Sequence, residues 1–126
     1  MHMRTVLSLA FILVFQFGHT QAPDPAVLVG EWQVDLRPKP DAEPYFQKLI
    51  VTEVNDSSFT GTFYYDSEIQ EARFNVDWGV LTIAFVTSDG SGPYNTAARL
   101  EGDVLKGTTH SIGRDFVALW TARKVK

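Results

Sequence analysis

The chain has 126 residues, no cysteine, three histidines and a formal net charge of −4 at pH 7. That length supports one domain, and the lack of cysteine excludes a disulfide framework, a thiolate nucleophile and a cysteine-based metal site. The acidic balance excludes nucleic acid as a partner, because phosphate binding needs a basic face, while 44% hydrophobic and 13% aromatic residues describe a packed protein.

The first 22 residues read as a signal peptide. Arg4 supplies a positive start, and Val6 to Phe17 forms an apolar run of 12 residues. Such a run is too short for a bilayer core of about 30 Å but suits a leader's apolar region of roughly 7–15 residues. Thr20-Gln21-Ala22 supplies a small-x-small cleavage pattern. Pro23 is a poor first mature residue, so the cut falls at Ala22 or near Thr20. Residues 23–126 then form a single domain, secreted or periplasmic, with no membrane anchor after cleavage. His2 and His19 leave with the leader, so His110 is the one mature imidazole. Two-histidine metal motifs are thereby excluded.

From residue 23 onward the periodicity is that of strands, in eight runs: Leu28–Leu36, Tyr45–Val54, Ser58–Tyr65, Ile69–Asp77, Val80–Thr87, Tyr94–Glu101, Val104–His110 and Arg114–Lys124. Turn residues fill the gaps, among them Asn55-Asp56-Ser57, Asp66-Ser67, Ser88 to Gly92, Gly102-Asp103 and Ser111-Ile112-Gly113. Asn55-Asp56-Ser57 is also a glycosylation acceptor if the host is eukaryotic. The long connection, Arg37–Pro44, carries three prolines and reads as a stiff extended strap. Even spacing and short turns predict an all-β fold: a small eight-stranded antiparallel up-and-down barrel, closed so that no sheet edge stays open.

Alternation assigns the interior. If Trp32 points inward, so do Leu28, Gly30, Val34 and Leu36, while Glu31, Gln33 and Asp35 face water. The same parity turns Phe59, Phe63 and Tyr65 inward, then Ala72, Phe74 and Val76, then Tyr94, Thr96, Ala98 and Leu100. The second and fifth runs are apolar on both faces and leave parity open. In the last run, Phe116, Ala118 and Trp120 compete with Val117, Leu119 and Arg123.

Gly30-Glu31-Trp32 on the first strand of a small exported meander resembles the calycin superfamily, and Leu119-Trp120-Thr121-Ala122-Arg123 extends the likeness to the last strand. In lipocalins the first-strand tryptophan closes the barrel floor, and a late arginine packs across it. The resemblance therefore implies a closure built from Gly30, Trp32 and Arg123, with a cation–aromatic contact of about 0.5–2 kcal/mol. Avidins share Gly30 to Leu36 and Phe59-Thr60-Gly61-Thr62-Phe63. Yet Val34 stands where avidins carry the asparagine that bonds biotin, and Phe63 lacks the matching tyrosine hydroxyl. Biotin is thus disfavoured. The chain is similar to a minimal lipocalin-like or avidin-like barrel of no named subfamily.

No catalytic constellation, metal site or cofactor motif emerges. His110 and Ser111 are strand neighbours that point to opposite faces, so they cannot form a base–nucleophile pair. An eight-strand barrel holds either its own side chains or one small ligand. The expected function is binding of a small, largely apolar molecule, with Phe63, Tyr65, Phe74, Tyr94 and Thr96 as inward contacts and His110 with Arg114 as a polar rim. The alternative is a filled-core scaffold or inhibitor that acts through a protein partner. Either protein would be a monomer or small oligomer.

Overall fold

The computed structural model describes residues 23–126, so the expected leader lies outside the described residues. A short 3₁₀ helix, Pro25–Leu28, opens the fold. Asp24 starts it, accepting the Ala26 N–H on its carboxylate at 3.0 Å. Nine strands follow among the described residues: β1 (Gly30–Asp35), β2 (Phe46–Val54), β3 (Phe59–Phe63), β4 (Ser67–Glu68), β5 (Gln70–Asn75), β6 (Thr82–Asp89), β7 (Gly92–Glu101), β8 (Val104–Ser111) and β9 (Phe116–Lys124). All pairings are antiparallel, and the sheet order is β4-β3-β2-β1-β9-β8-β7-β6-β5. The β1–β9 pairing curls this meander round until β3 packs on β5 and β4 on β6. At that seam two backbone bonds replace a ladder: Ile69 N–H to the Gly61 carbonyl (2.9 Å) and Phe74 N–H to the Ser57 carbonyl (3.0 Å). The result is an all-β, nearly closed antiparallel barrel.

The count is nine strands rather than eight for a local reason. The run expected through Tyr65 stops at Phe63, because Tyr64, Tyr65 and Asp66 take left-handed φ values of 53°, 49° and 59°. The Ser67 N–H closes this turn on the Tyr64 carbonyl at 3.2 Å. Ser67–Glu68 then returns along β3 as the short strand β4. The turn also ends the alternation, so Tyr65, expected inward, stands 70% exposed.

Packing decides the parities that the sequence leaves open. Leu49 and Val51 of β2 point inward, as do Ile83, Phe85 and Thr87 of β6. On β9 the inward set is Ala118, Trp120 and Ala122, while Val117 and Leu119 stand outside at 65% and 75% exposure. Gly107 makes room for that choice: it pairs with Trp120 across the ladder, and a β-carbon there would run into the indole. The core joins Leu28, Trp32, Phe59, Phe63, Phe85 and Trp120 to the aliphatic side chains between them.

The floor is closed by a different cation from the one expected. Trp32 is buried, and its indole N–H donates to the Leu28 carbonyl at 2.9 Å, tying the 3₁₀ helix to β1. Lys124, not Arg123, lies over its ring, with Nζ 5.3 Å from the centroid. Lys124 Nζ also donates to the carbonyls of Val27 and Val29. The register gives the reason. Lys124 pairs with inward-facing Trp32, whereas Arg123 pairs with outward-facing Gln33. One residue along a strand exchanges the two faces. Arg123 is accordingly 71% exposed, 3.6 Å from Asp103.

Candidate functional site at the open end of the barrel

The end opposite Trp32 is not filled. A cavity of about 150 Å³ opens there, where β1, β3 and β6 finish and β7 and β9 begin. One wall is apolar and aromatic: Leu36, Phe63, Tyr64, Phe116 and Ala118. Phe63 leans on Trp120 with ring centroids 5.5 Å apart, so the indole supports this wall from below. Tyr64 is held by Tyr45, their hydroxyls 2.8 Å apart and their rings edge to face at 6.3 Å. The left-handed turn aims Tyr64 into the mouth and sends Tyr65 outside. Non-glycine residues in that conformation cost roughly 1–2 kcal/mol each. Asp115, next to Arg114, also takes a left-handed φ of 59°.

The facing wall is hydroxyl-rich. Buried polar side chains among the described residues are Thr87, Thr96, Thr109 and Ser111, all on the adjacent strands β6, β7 and β8. Burying a hydroxyl costs free energy unless it finds a partner. Thr109 Oγ1 accepts the Trp120 indole N–H at 3.0 Å and lies 3.0 Å from Thr96 Oγ1. Ser111 Oγ accepts the Arg114 backbone N–H at 3.1 Å. Thr87 differs. It lines the cavity at 3% exposure, and its hydroxyl has no hydrogen-bond partner among the described residues.

Two charged side chains stand at the rim, Asp89 and Arg114. Asp89 accepts the Ser91 N–H at 2.8 Å and the Tyr94 hydroxyl at 2.9 Å, one on each carboxylate oxygen. The Arg114 guanidinium lies 5.6 Å from the Phe116 ring centroid and belongs to none of the ion pairs among the described residues. The Tyr94 phenol beside it, and then the Asp89 charge, raise its pKa above the ordinary arginine value. The turn that carries Arg114 is seated by Gly113, whose α-carbon lies so close to Ser91 that a side chain there would meet the Ser91 carbonyl.

Of the residues expected at the site, Phe63, Tyr94 and Arg114 line this cavity. Thr96 sits behind the wall as a support for Thr109. Phe74, on β5, packs half-buried against the core and does not line the cavity. Tyr65 lies on the outer surface, in a groove beside Phe46. His110 is exposed on the outer face of β8, paired with Asn95 and Val117. Sequence reasoning missed Tyr64, Thr87, Asp89 and Phe116. Thr87 ends a run apolar on both faces, so alternation alone gave no signal, and Tyr64 depends on a turn made without glycine.

Among the described residues no group of three or more histidines and carboxylates converges as a metal would require. No helix among them is long and apolar enough to cross a membrane. No protein family, curated protein or solved structure matches the chain.

Proposed function

We propose that the chain is an exported, calycin-like barrel that holds one small, largely apolar molecule in its mouth. Export rests on the leader composition of residues 1–22. The calycin-like reading is supported by the meander order, by Trp32 bonded to the 3₁₀ helix, and by a basic side chain over that indole. One observation carries the binding reading: a cavity of about 150 Å³ between an aromatic wall and a hydroxyl wall that contains the unpartnered Thr87. A dry cavity of about that volume accommodates benzene, whereas drug-sized ligands need roughly 300–1,000 Å³. The ligand is therefore one ring or a short alkyl chain.

The alternative, a filled scaffold acting through its outer surface, draws support from exposed Val117 and Leu119 but leaves the cavity unexplained. Calorimetric melting with saturating toluene, indole and 1-hexanol separates the two. Binding at 100 times Kd raises stability by about 2.7 kcal/mol, and an Ala118→Leu variant, which fills the cavity, should lose the effect. No shift with any probe, or the same shift in Ala118→Leu, would overturn the binding reading.

A further inference from the structure

Resting on that reading, we infer that the ligand is a small monocyclic carboxylate, its ring inside the mouth and its carboxylate on the Arg114 guanidinium. Three observations converge. The cavity volume of about 150 Å³ limits the body to one ring, and Phe63, Tyr64 and Phe116 offer faces and edges for an aromatic one. Arg114 is the one cation lining the cavity, and among the described residues it is committed to no carboxylate. A guanidinium presents paired N–H donors that match a carboxylate's two oxygens, and Phe116, its ring centroid 5.6 Å away, carries no oxygen that would occupy them. The third observation is the Thr87 hydroxyl, buried, unpartnered and in the same wall. A purely apolar ligand would leave it unsatisfied, while a ligand bearing oxygen can reach it.

Asp89 shares the rim and carries the opposite charge. Its two oxygens already accept from Ser91 and Tyr94. Tyr94, whose hydroxyl donates to Asp89 at 2.9 Å, also stands beside Arg114. Asp89 thus acts as a positioning residue for Tyr94, and Arg114 remains the group facing a ligand anion.

The test is isothermal titration of the protein with benzoate, with benzamide as its neutral isostere, with benzylamine as its opposite in charge, and with toluene as an apolar reference. Benzoate should bind more tightly than benzamide by about 10–100-fold, the range for a hydrogen bond to a charged group. Arg114→Gln should remove that advantage, lowering benzoate affinity far more than toluene affinity, and Arg114→Lys should keep part of it. Thr87→Val, of matched shape, should weaken benzoate more than it weakens toluene. Equal affinity for benzoate and benzamide, or preference for benzylamine, overturns the carboxylate proposal while toluene binding keeps the cavity reading intact. If toluene also fails to bind, both fall. Melting curves of the Arg114 variants verify folding, since the side chain is exposed and its loss should leave the melting temperature near wild type.

Discussion

Trp32 and Lys124 are the residues on which closure of the floor depends. The indole is buried, bonded to Leu28 and covered by Lys124. Trp32→Ala should cost about 3–5 kcal/mol, the range for deleting a large buried aromatic. Lys124→Ala should cost on the order of 1–2 kcal/mol, through the contact with the ring and the two carbonyls it bonds. Arg123→Ala should stay within about 0.5 kcal/mol, because its partner Asp103 is an exposed surface charge. Denaturant unfolding of the single and double variants checks this. Coupling between positions 32 and 124, and none between 32 and 123, is the expected outcome. The pattern Gly30-Glu31-Trp32 made a cation over Trp32 legible in the sequence. The identity of that cation was not, because adjacent residues Arg123 and Lys124 differ only in which face the register gives them.

At the scale of elements, the mouth is shaped by two turns that accept local cost. One runs through Tyr64, Tyr65 and Asp66, and the other places Asp115 beside Arg114. Asp66 is exposed and its side chain makes no hydrogen bond among the described residues, so Asp66→Gly should relieve strain at little loss of contact. The expected gain is about 0.5–1 kcal/mol in urea unfolding, reduced by the greater freedom of glycine in the unfolded chain. Gly113→Ala should act oppositely. Its side chain would meet the Ser91 carbonyl, so the β8–β9 turn must lift from the β6–β7 turn and carry Arg114 with it. A loss of more than 1 kcal/mol, together with weaker benzoate binding, is the expected result. Retained affinity would mean that the turn's position does not control the rim.

At the scale of the whole molecule, the strap Arg37–Pro44 is pinned by one carboxylate. Asp35 accepts from the Arg37 side chain at 2.6 and 2.8 Å and from the backbone N–H groups of Arg37 (3.0 Å) and Tyr45 (3.3 Å). Both ends of the strap thus meet at the end of β1. The Arg37 side chain is the largest cause holding the Asp35 carboxyl below its ordinary pKa, with the two N–H groups adding to it against the opposing effect of burial. A carboxylate whose folded pKa is depressed stabilises the fold above its unfolded pKa of about 3.9. That contribution is lost as pH falls through the folded value. Asp35→Asn should therefore melt lower than wild type at pH 7 and converge with it in acid. Parallel melting temperatures from pH 7 to pH 2 would show that the pinning contributes nothing.

The strand class, the up-and-down order, the pairing of first and last strands and most inward positions were legible in the amino-acid order alone. These follow from period-two alternation and turn residues, which are local. Phe63, Tyr94 and Arg114 were legible at the mouth for the same reason: two lie on cleanly alternating strands and one on a marked turn. Features that depend on contacts between distant strands emerged with the assembled barrel. The β1–β9 register put Lys124 over Trp32, and Gly107 admitted Trp120 to the interior. The turn at Tyr64 broke the alternation and exchanged one tyrosine for its neighbour. Thr87 faces the cavity with its hydroxyl unpartnered among the described residues, whereas Thr96 and Thr109 meet across β7 and β8 and Ser111 holds the Arg114 turn. Periodicity reports which face a residue takes; only assembly of the barrel decides what stands across from it.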